Sequence, residues 1–328
     1  MNSKDLDRKP ECSKYSLNKN VVNINRRKFL SNTGMSAAGF MIGAKLPGVE
    51  LKENATAPSY NIMKEAMKYR KIDSHIHLYL YPPGTDTKFL LDYADRLGIE
   101  KLVISLPVVT MDDPHQSYVD ANNRMMKAMK ESPDRFIAQF TLNPGYARES
   151  LEEIKRCTDQ GMIGLKVYYH YKLNDPLFYP IIEKMIDLKM IILMHSFAAI
   201  GRGGYRPKYG NPFPNESTPE DFAEVAERYP AALLQFAHTG GGGDWEYECK
   251  ILKHYPNIFV DLSGSNNEGN MVNHALSTIG EDRLFFGSDN SYYQGVSNIL
   301  AADMTEIQRK KIFFDNYYNI LKRGGYVN

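Results

Sequence analysis

The sequence KIDSHIHLYL, residues 71–80, is an apolar run that carries two histidines, His75 and His77. Successive side chains of a β-strand point to opposite faces, so residues two apart share a face. If this segment is a strand, the H-x-H spacing therefore directs two imidazoles to one point. The motif alone is weak, because a polar strand end is its commoner explanation.

Three later apolar runs also end in a polar side chain. His195 follows MIILM, His238 follows ALLQFA, and Asp289 closes RLFFGSD. Imidazole nitrogens and carboxylate oxygens are ligands for zinc and similar divalent ions. The carboxyl ends of the strands of a parallel barrel converge on one face. The four runs together therefore predict a metal site.

Short apolar runs alternate with helical patterns from Tyr69 onward, which is typical of repeated βα units around a parallel sheet. We predict eight strands, in the segments KIDSHIHL, KLVISLP, RFIAQFTL, MIGLKVYY, MIILMHS, ALLQFAH, NIFVDLS and RLFFGSD. The chain has 328 residues and 43% hydrophobic content, and a barrel of this kind needs about 250 residues. We predict the α/β class, with a single-domain (β/α)8 TIM barrel over residues 59–328.

These strand-end residues resemble the amidohydrolase superfamily of metal-dependent barrel hydrolases. The resemblance is to the branch that also contains aromatic-acid decarboxylases and lactonases, and it runs from about residue 70 to the C-terminus. That family carries H-x-H on strand 1, His on strands 5 and 6, and Asp on strand 8. It implies that the metal ligands are His75, His77, His195 and Asp289, and that the catalytic residues are Asp289 and His238.

The resemblance also implies a reaction. We expect one Zn²⁺ and a metal-activated water that cleaves an ester, lactone or amide bond of a small, anionic or carbohydrate-like substrate. Asp289 would move the proton of the attacking water to the leaving group, while His238 would polarise the scissile carbonyl. One alternative is a metal-dependent decarboxylase or hydratase of a carboxylic acid. Another is a noncatalytic binding barrel.

Two further features concern the substrate. In binuclear members of the superfamily a lysine on strand 4 is carbamylated and bridges two metals. We instead expect a single metal, with Lys166, in GLKVY, as a cation that contacts either the substrate or a metal ligand. The long segment 198–218 after the fifth strand carries Arg202 and Arg206. We expect both to bind an anionic substrate, because arginine matches the geometry of a carboxylate. The alternative is a solvated loop packed by its own tyrosines.

The N-terminal segment indicates the cellular compartment of the protein. NRRKFL, residues 25–30, precedes a small-residue, moderately apolar stretch, and the combination resembles a twin-arginine export signal. That stretch is too polar and too short for a membrane span, which needs about 20 mostly apolar residues. We expect residues 1–58 to be an export signal and linker, and the protein to be periplasmic or extracellular without stable membrane insertion. An ordinary basic tail is the alternative.

The composition limits the kinds of molecule that the protein is expected to bind. The formal net charge is +1, and no basic stripe with interleaved aromatic residues suggests nucleic-acid binding. The cysteines, Cys12, Cys157 and Cys249, lack zinc-finger or C-x-x-C spacing. We expect a small-molecule substrate and no nucleic-acid partner. The resemblance is compatible with a homodimer, because barrels of this superfamily often pair.

Overall fold

A computed structural model of the chain describes residues 60–80, 85–110, 112–196, 214–239, 245–264 and 270–327. The expected export signal and the expected substrate-binding residues Arg202 and Arg206 lie outside these ranges, so both stay predictions. None of the described helices combines the length and apolar composition that crossing a membrane requires.

The described chain contains eight short parallel strands, each inside a segment that the sequence predicts. They are β1 (Ile72–His77), β2 (Lys101–Ser105), β3 (Phe136–Ala138), β4 (Leu165–Val167), β5 (Ile191–Met194), β6 (Leu233–Phe236), β7 (Ile258–Asp261) and β8 (Leu284–Phe285). Sequential strands are neighbours within two ladders, β1-β2-β3 and β4-β5-β6-β7-β8. The pattern is the parallel α/β arrangement expected for a TIM barrel.

Backbone hydrogen bonds cross both seams between the two ladders. At the seam between β3 and β4, the N–H of Lys166 donates to the carbonyl of Phe140 at 2.8 Å. At the seam between β8 and β1, the N–H of Ser74 donates to the carbonyl of Phe286 at 2.9 Å, and that of Asp289 donates to the carbonyl of His75 at 2.8 Å. The eight strands are therefore linked in chain order around the (β/α)8 fold.

Helices connect and surround the strands. They are α1 (Ile62–Ala66), α2 (Thr87–Leu97), α3 (His115–Glu131), α4 (Ala147–Asp159), α5 (Tyr179–Asp187), α6 (Pro219–Arg228), α7 (Trp245–Leu252), α8 (Met271–Ile279), α9 (Tyr292–Ala301), α10 (Glu306–Lys310) and α11 (Asn316–Gly324). A π-helical turn, Lys311–Asp315, joins the last two. Short 3-10 turns lie at Pro144–Tyr146, Pro176–Phe178 and Glu281–Arg283.

Two helices begin in different ways. Thr218 caps α6, and its backbone N–H donates to the Asp221 carboxylate at 2.9 Å in a capping box. Helix α3 begins at His115, directly after Pro114. Proline has a fixed φ and no N–H, so it suits the entry to a helix without a capping side chain.

The apolar residues form two clusters. The larger one packs the helices against strand residues such as Leu102, Leu234 and Val260. The smaller one lies at the amino-terminal end of the strands and is sealed by α11. Its buried members are Ile72, Val103, Ile191, Phe259, Phe285, Phe314, Tyr317, Ile320 and Leu321. Phe259 and Phe285 stack in parallel there, with ring centroids 5.0 Å apart. This end of the described barrel is therefore mainly apolar and aromatic.

Candidate metal centre and active site

Three predicted metal ligands meet where β1 and β8 end. The Nε2 atoms of His75 and His77 lie 3.2 Å apart. Oδ1 of Asp289 lies 3.2 Å from Nε2 of His77 and 3.7 Å from Nε2 of His75. Both imidazoles are buried, while the carboxylate keeps 29% of its surface exposed. The group therefore has one open side, through which a ligand could enter.

Hydrogen bonds on the far sides of the rings show where the imidazole protons lie. Nδ1 of His75 is 3.1 Å from the Asp261 carboxylate, which only accepts when ionised, so His75 donates its Nδ1–H. Nδ1 of His77 is 3.0 Å from Oγ of Ser105, and this hydroxyl donates to a backbone carbonyl. His77 therefore also carries its proton on Nδ1. Two Nε2 lone pairs and the Asp289 carboxylate converge, and a cation between them would satisfy all three.

The protonation states suit a metal. Burial lowers the pKa of His77 to about 4, so the ring is neutral at neutral pH. Burial alone would raise the pKa of Asp289, but the neighbouring histidines hold it well below its usual range. Ligand atoms of His75, His77 and Asp289 all lie within 4.8 Å of one another. These residues fit a divalent metal ion, as the sequence predicts.

Lys166 in β4 brings a cation to the same point. Its Nζ lies 3.2 Å from Nε2 of His75, and the side chain is buried. Burial lowers its pKa to about 8, which leaves most of the ammonium protonated at pH 7. Lys166 is therefore placed to attract an anionic group. Its role in contacting substrate stays a prediction.

His238 and His195 extend the group. Nδ1 of His238 is 3.4 Å from Oδ2 of Asp289, and its Nε2 is 2.8 Å from Nδ1 of His195. Nε2 of His195 is 2.9 Å from Oε1 of Glu216. Burial lowers the pKa of both histidines. His195 thus reaches the three-ligand group through His238, and its assignment as a fourth metal ligand stays a prediction.

Two of these side chains stand on a left-handed backbone. His238 has φ 71° and Asp289 has φ 45°, a conformation that costs residues other than glycine about 1–2 kcal/mol. The N–H of His238 donates to the Asp261 carboxylate at 3.2 Å, and that of Asp289 donates to the carbonyl of His75. Such strain persists where surrounding contacts impose it, and it is common at functional sites.

Sequence reasoning missed several supporting residues. Asp261 binds both His75 and His238, yet it ends the apolar run NIFVD and so carries the same strand-end signal as the predicted ligands. Gln235, in β6, donates to Asp261 at 2.9 Å. Glu216 lies in an irregular segment before α6, where no periodic pattern marks it.

Tyrosines after β4 line one side of the group. The ring of Tyr168 stacks on that of His195 with centroids 4.3 Å apart and an interplanar angle of 28°. Tyr169 lies 4.3 Å from Tyr168, centroid to centroid. These rings offer a flat apolar surface next to a strongly polar site, which suits a planar ligand with a charged group.

A curated relative carries a related sequence. It is a 2-amino-3-carboxymuconate-6-semialdehyde decarboxylase of Dictyostelium discoideum, 26% identical over 153 residues. The match covers 43% of this chain and 42% of the relative, so it spans less than half of either protein.

Solved structures share the fold. A 2,6-dihydroxybenzoate decarboxylase from Rhizobium matches with a TM-score of 0.61 and 18% identity, over 78% of this chain and 98% of that one. A dihydroxybenzoic acid decarboxylase from Polaromonas, with bound manganese and an inhibitor, matches with a TM-score of 0.62 and 17% identity, over 79% and 99% of the two chains. At this level of identity the likeness shows a shared fold, which extends over more than three quarters of this chain.

The comparisons overturn the expected reaction. Hydrolysis of an ester, lactone or amide is the wrong prediction, because the curated relative and these structural neighbours are decarboxylases. The error has a physical reason: hydrolysis and decarboxylation can both use a divalent ion that holds a substrate oxygen, so the ligand residues do not separate them. The expected export signal does not separate the two reactions either, because it carries no information about the bond that breaks.

The family itself is shown by the length of the match. The family model described as "Amidohydrolase" covers residues 72–316, from the first residue of β1 to the first residue of α11. That range contains all eight strands, the three converging ligands and Lys166. The chain therefore belongs to the amidohydrolase family and is an enzyme of the amidohydrolase superfamily.

Proposed function

We propose that this protein is a metal-dependent decarboxylase of a small unsaturated or aromatic carboxylic acid. The proposal rests on one observation: the side chains of His75, His77 and Asp289 converge at a largely buried site, and the cationic Lys166 lies beside them. Such a site attracts a divalent ion and a carboxylate to the same place. The decarboxylase names of the curated relative and of the structural neighbours support this reaction class.

The reaction has a simple balance. The bond between the carboxyl carbon and its neighbour breaks, CO₂ leaves, and the electron pair that remains must receive a proton. His75, His77 and Asp289 would hold the ion, with His195 as the expected fourth ligand. A bound divalent ion supplies positive charge that orients a substrate oxygen and stabilises negative charge that develops on the substrate.

The protein residues would handle the proton and the carboxylate. Lys166, held at Nζ 3.2 Å from Nε2 of His75, would attract the substrate carboxylate. His238 and Asp289 lie 3.4 Å apart and would relay a proton from water to the carbon that loses CO₂. Tyr168 would cover one face of a planar substrate beside His195. Burial of these groups strengthens every charge interaction among them.

We propose zinc as the resident ion, at one per chain. Donor sets rich in imidazole suit zinc. Manganese is the ion to compare with zinc, because it is bound in the Polaromonas structure. Elemental analysis of protein purified without added metal gives the ion and its stoichiometry. Two equivalents per chain would contradict the single-metal assignment.

The test of the reaction is CO₂ release. Metal-loaded protein is incubated with dihydroxybenzoates, carboxylated hydroxybenzoates and unsaturated dicarboxylic acids labelled with ¹³C at the carboxyl group, and labelled CO₂ and bicarbonate are followed by NMR. We expect release with at least one substrate, and its loss in Asp289→Asn. Release that is unchanged in Asp289→Asn would rule out this site. Metal-loaded, folded protein that liberates no CO₂ from any of these acids would contradict the proposed reaction.

We also propose export through the twin-arginine pathway, supported by Arg26 and Arg27 in the sequence NRRKFL. The check is fractionation of a bacterial host that expresses the full chain. Replacement of both arginines by lysine should leave the protein in the cytoplasm. Equal periplasmic amounts of the two forms would contradict export by this route.

A further inference from the structure

The seam between β8 and β1 has no ladder pair among the described residues. β8 is two residues long, Leu284–Phe285, and two backbone hydrogen bonds cross the seam, from Ser74 to the carbonyl of Phe286 and from Asp289 to that of His75. Neither bond reaches His77, although its Nε2 lies 3.2 Å from Oδ1 of Asp289. Contacts other than these two bonds must therefore hold His77 to the chain after β8.

A side-chain amide supplies those contacts at the carboxyl end. Oδ1 of Asn290 accepts from the backbone N–H of His77 at 2.8 Å, and its Nδ2 donates to the backbone carbonyl of His77 at 2.8 Å. The amide thus bonds both peptide groups of His77, as a neighbouring strand would. Nδ2 also donates to the hydroxyl of Tyr292 at 3.0 Å, which orients the amide.

A carboxylate secures the seam from the other strand. Oδ1 of Asp73, in β1, accepts from the backbone N–H of Ser288 at 2.9 Å and from that of His75 at 3.2 Å. Asp73 therefore holds Ser288, the residue just before Asp289, to β1. Asn290, the residue just after Asp289, holds the chain to His77. The metal-binding carboxylate lies between these two clamps.

We propose that Asn290 is a positioning residue that fixes His77 against Asp289 and thereby sets the affinity of the metal centre. The hydrogen bonds of the Asn290 side chain go to the backbone of His77 and to the hydroxyl of Tyr292. Asn290 acts through the backbone of His77. The inference rests on the proposed function only through the metal site, and it does not depend on which bond the enzyme breaks.

The backbone at Asn290 determines which variant is informative. Its φ is 65°, in the left-handed region that glycine and asparagine tolerate and alanine does not. Asn290→Gly removes the amide and keeps the backbone conformation. Asn290→Ala removes the amide and adds backbone strain. The difference in metal affinity between the two variants therefore measures the effect of backbone strain alone.

The first measurement is the affinity for Zn²⁺ and Mn²⁺, titrated into metal-free protein. Loss of a hydrogen-bonding residue behind a metal ligand typically weakens affinity about 10- to 100-fold. We expect this loss in Asn290→Gly, with at least as large a loss in Asn290→Ala. Affinity within twofold of the parent protein in Asn290→Gly would overturn the proposal.

Asn316→Ala is the matched control. Nδ2 of Asn316 donates to the carbonyls of Leu284, at 2.9 Å, and Glu281, so it secures the amino-terminal end of the same strand. Its loss should lower the melting temperature and leave the metal affinity unchanged. Equal weakening of metal binding in Asn316→Ala and Asn290→Gly would show general loosening of β8 and would also overturn the proposal.

Hydrogen exchange in the metal-free protein gives a readout that needs neither metal nor substrate. The backbone N–H of His77 donates to Asn290, so its exchange should accelerate at least tenfold in Asn290→Gly and stay unchanged in Asn316→Ala. An unchanged rate in Asn290→Gly would contradict the clamp directly. Failure of the decarboxylation assay would leave this result standing, so the two proposals can fail separately.

Discussion

At the scale of single residues, the buried Asp261 organises the polar site. Its Oδ2 accepts from Nδ1 of His75 and from Nε2 of Gln235, while its Oδ1 accepts from the backbone N–H of His238. Burial alone would raise its pKa, but His75 and its other partners hold the pKa below the usual range. One carboxylate therefore sets both the tautomer of an expected metal ligand, His75, and the position of the expected proton carrier, His238.

We expect Asp261→Asn to weaken metal binding about 10- to 100-fold, because the amide can present a donor to the Nδ1–H of His75 and favours the wrong tautomer. Calorimetric titration of metal into metal-free protein measures the change. Asp221→Asn is the control, since its carboxylate serves the α6 capping box and Lys172 instead. Similar metal affinity in Asp261→Asn and the parent protein would refute the role of Asp261.

At the scale of elements, the site depends on how closely β8 approaches β1 and β7. A Cβ added at Gly287 would lie 3.0 Å from Cβ of His75 and 3.3 Å from Cβ of Asp261. Both neighbours are the rigid first atoms of side chains and cannot rotate away. The chain after β8 therefore needs glycine so that the strands bearing the site can stay in contact.

We expect Gly287→Ala to displace His75, to lower metal affinity more than tenfold, and to destabilise the fold by about 1–3 kcal/mol, the usual cost of overpacking. Metal titration and thermal melting report the two effects. Gly145→Ala is the control, because its added Cβ would crowd the hydroxyl of Tyr171 at 2.7 Å in the Pro144–Tyr146 turn and meets no residue of the metal site. A Gly287→Ala variant with normal metal affinity would show that the close approach is unnecessary.

At the scale of the whole molecule, stability should depend on pH through a buried lysine below the barrel. Lys71 is fully buried, donates to the carbonyls of Tyr69, at 2.8 Å, and Ala66, and has its pKa lowered by burial to about 8. In the unfolded chain the pKa is near its ordinary value of about 10.4. Between these values the unfolded state binds more protons, so the free energy of unfolding rises with pH.

We expect the stability difference between the parent protein and Lys71→Met to shift in favour of the parent by about 1–2 kcal/mol from pH 7.5 to 9.5. Urea denaturation at several pH values measures it. Other titrating groups, including Lys166, are common to both proteins and cancel in the difference. A difference that stays constant over this range would contradict the depressed pKa of Lys71.

Much of this architecture could be predicted from the sequence, for reasons that particular residues make clear. All eight strands lie in predicted segments because apolar runs bounded by polar ends are a strong local signal. β8 is shorter than its run, since the chain turns after Gly287 into the left-handed conformation at Asp289. No local pattern marks Asn290 or Glu216, because their partners lie far away in the sequence.

The site was partly predictable and the reaction was not. The strand-end rule indicated His75, His77 and Asp289, which the structure brings together. The same rule, applied to the seventh strand, would have found Asp261. The choice between hydrolysis and decarboxylation depends on substrate groups that the ligand pattern does not encode.

The aromatic residues at the amino-terminal end of the barrel determine where substrate could enter and product could leave. Phe259, Phe285 and Tyr317 fill the amino-terminal end of the described barrel beneath α11. In the proposed reaction, substrate would then enter, and CO₂ and the decarboxylated acid would leave, through the opening at the carboxyl ends of the strands. The larger product would thus compete with incoming substrate for the same opening.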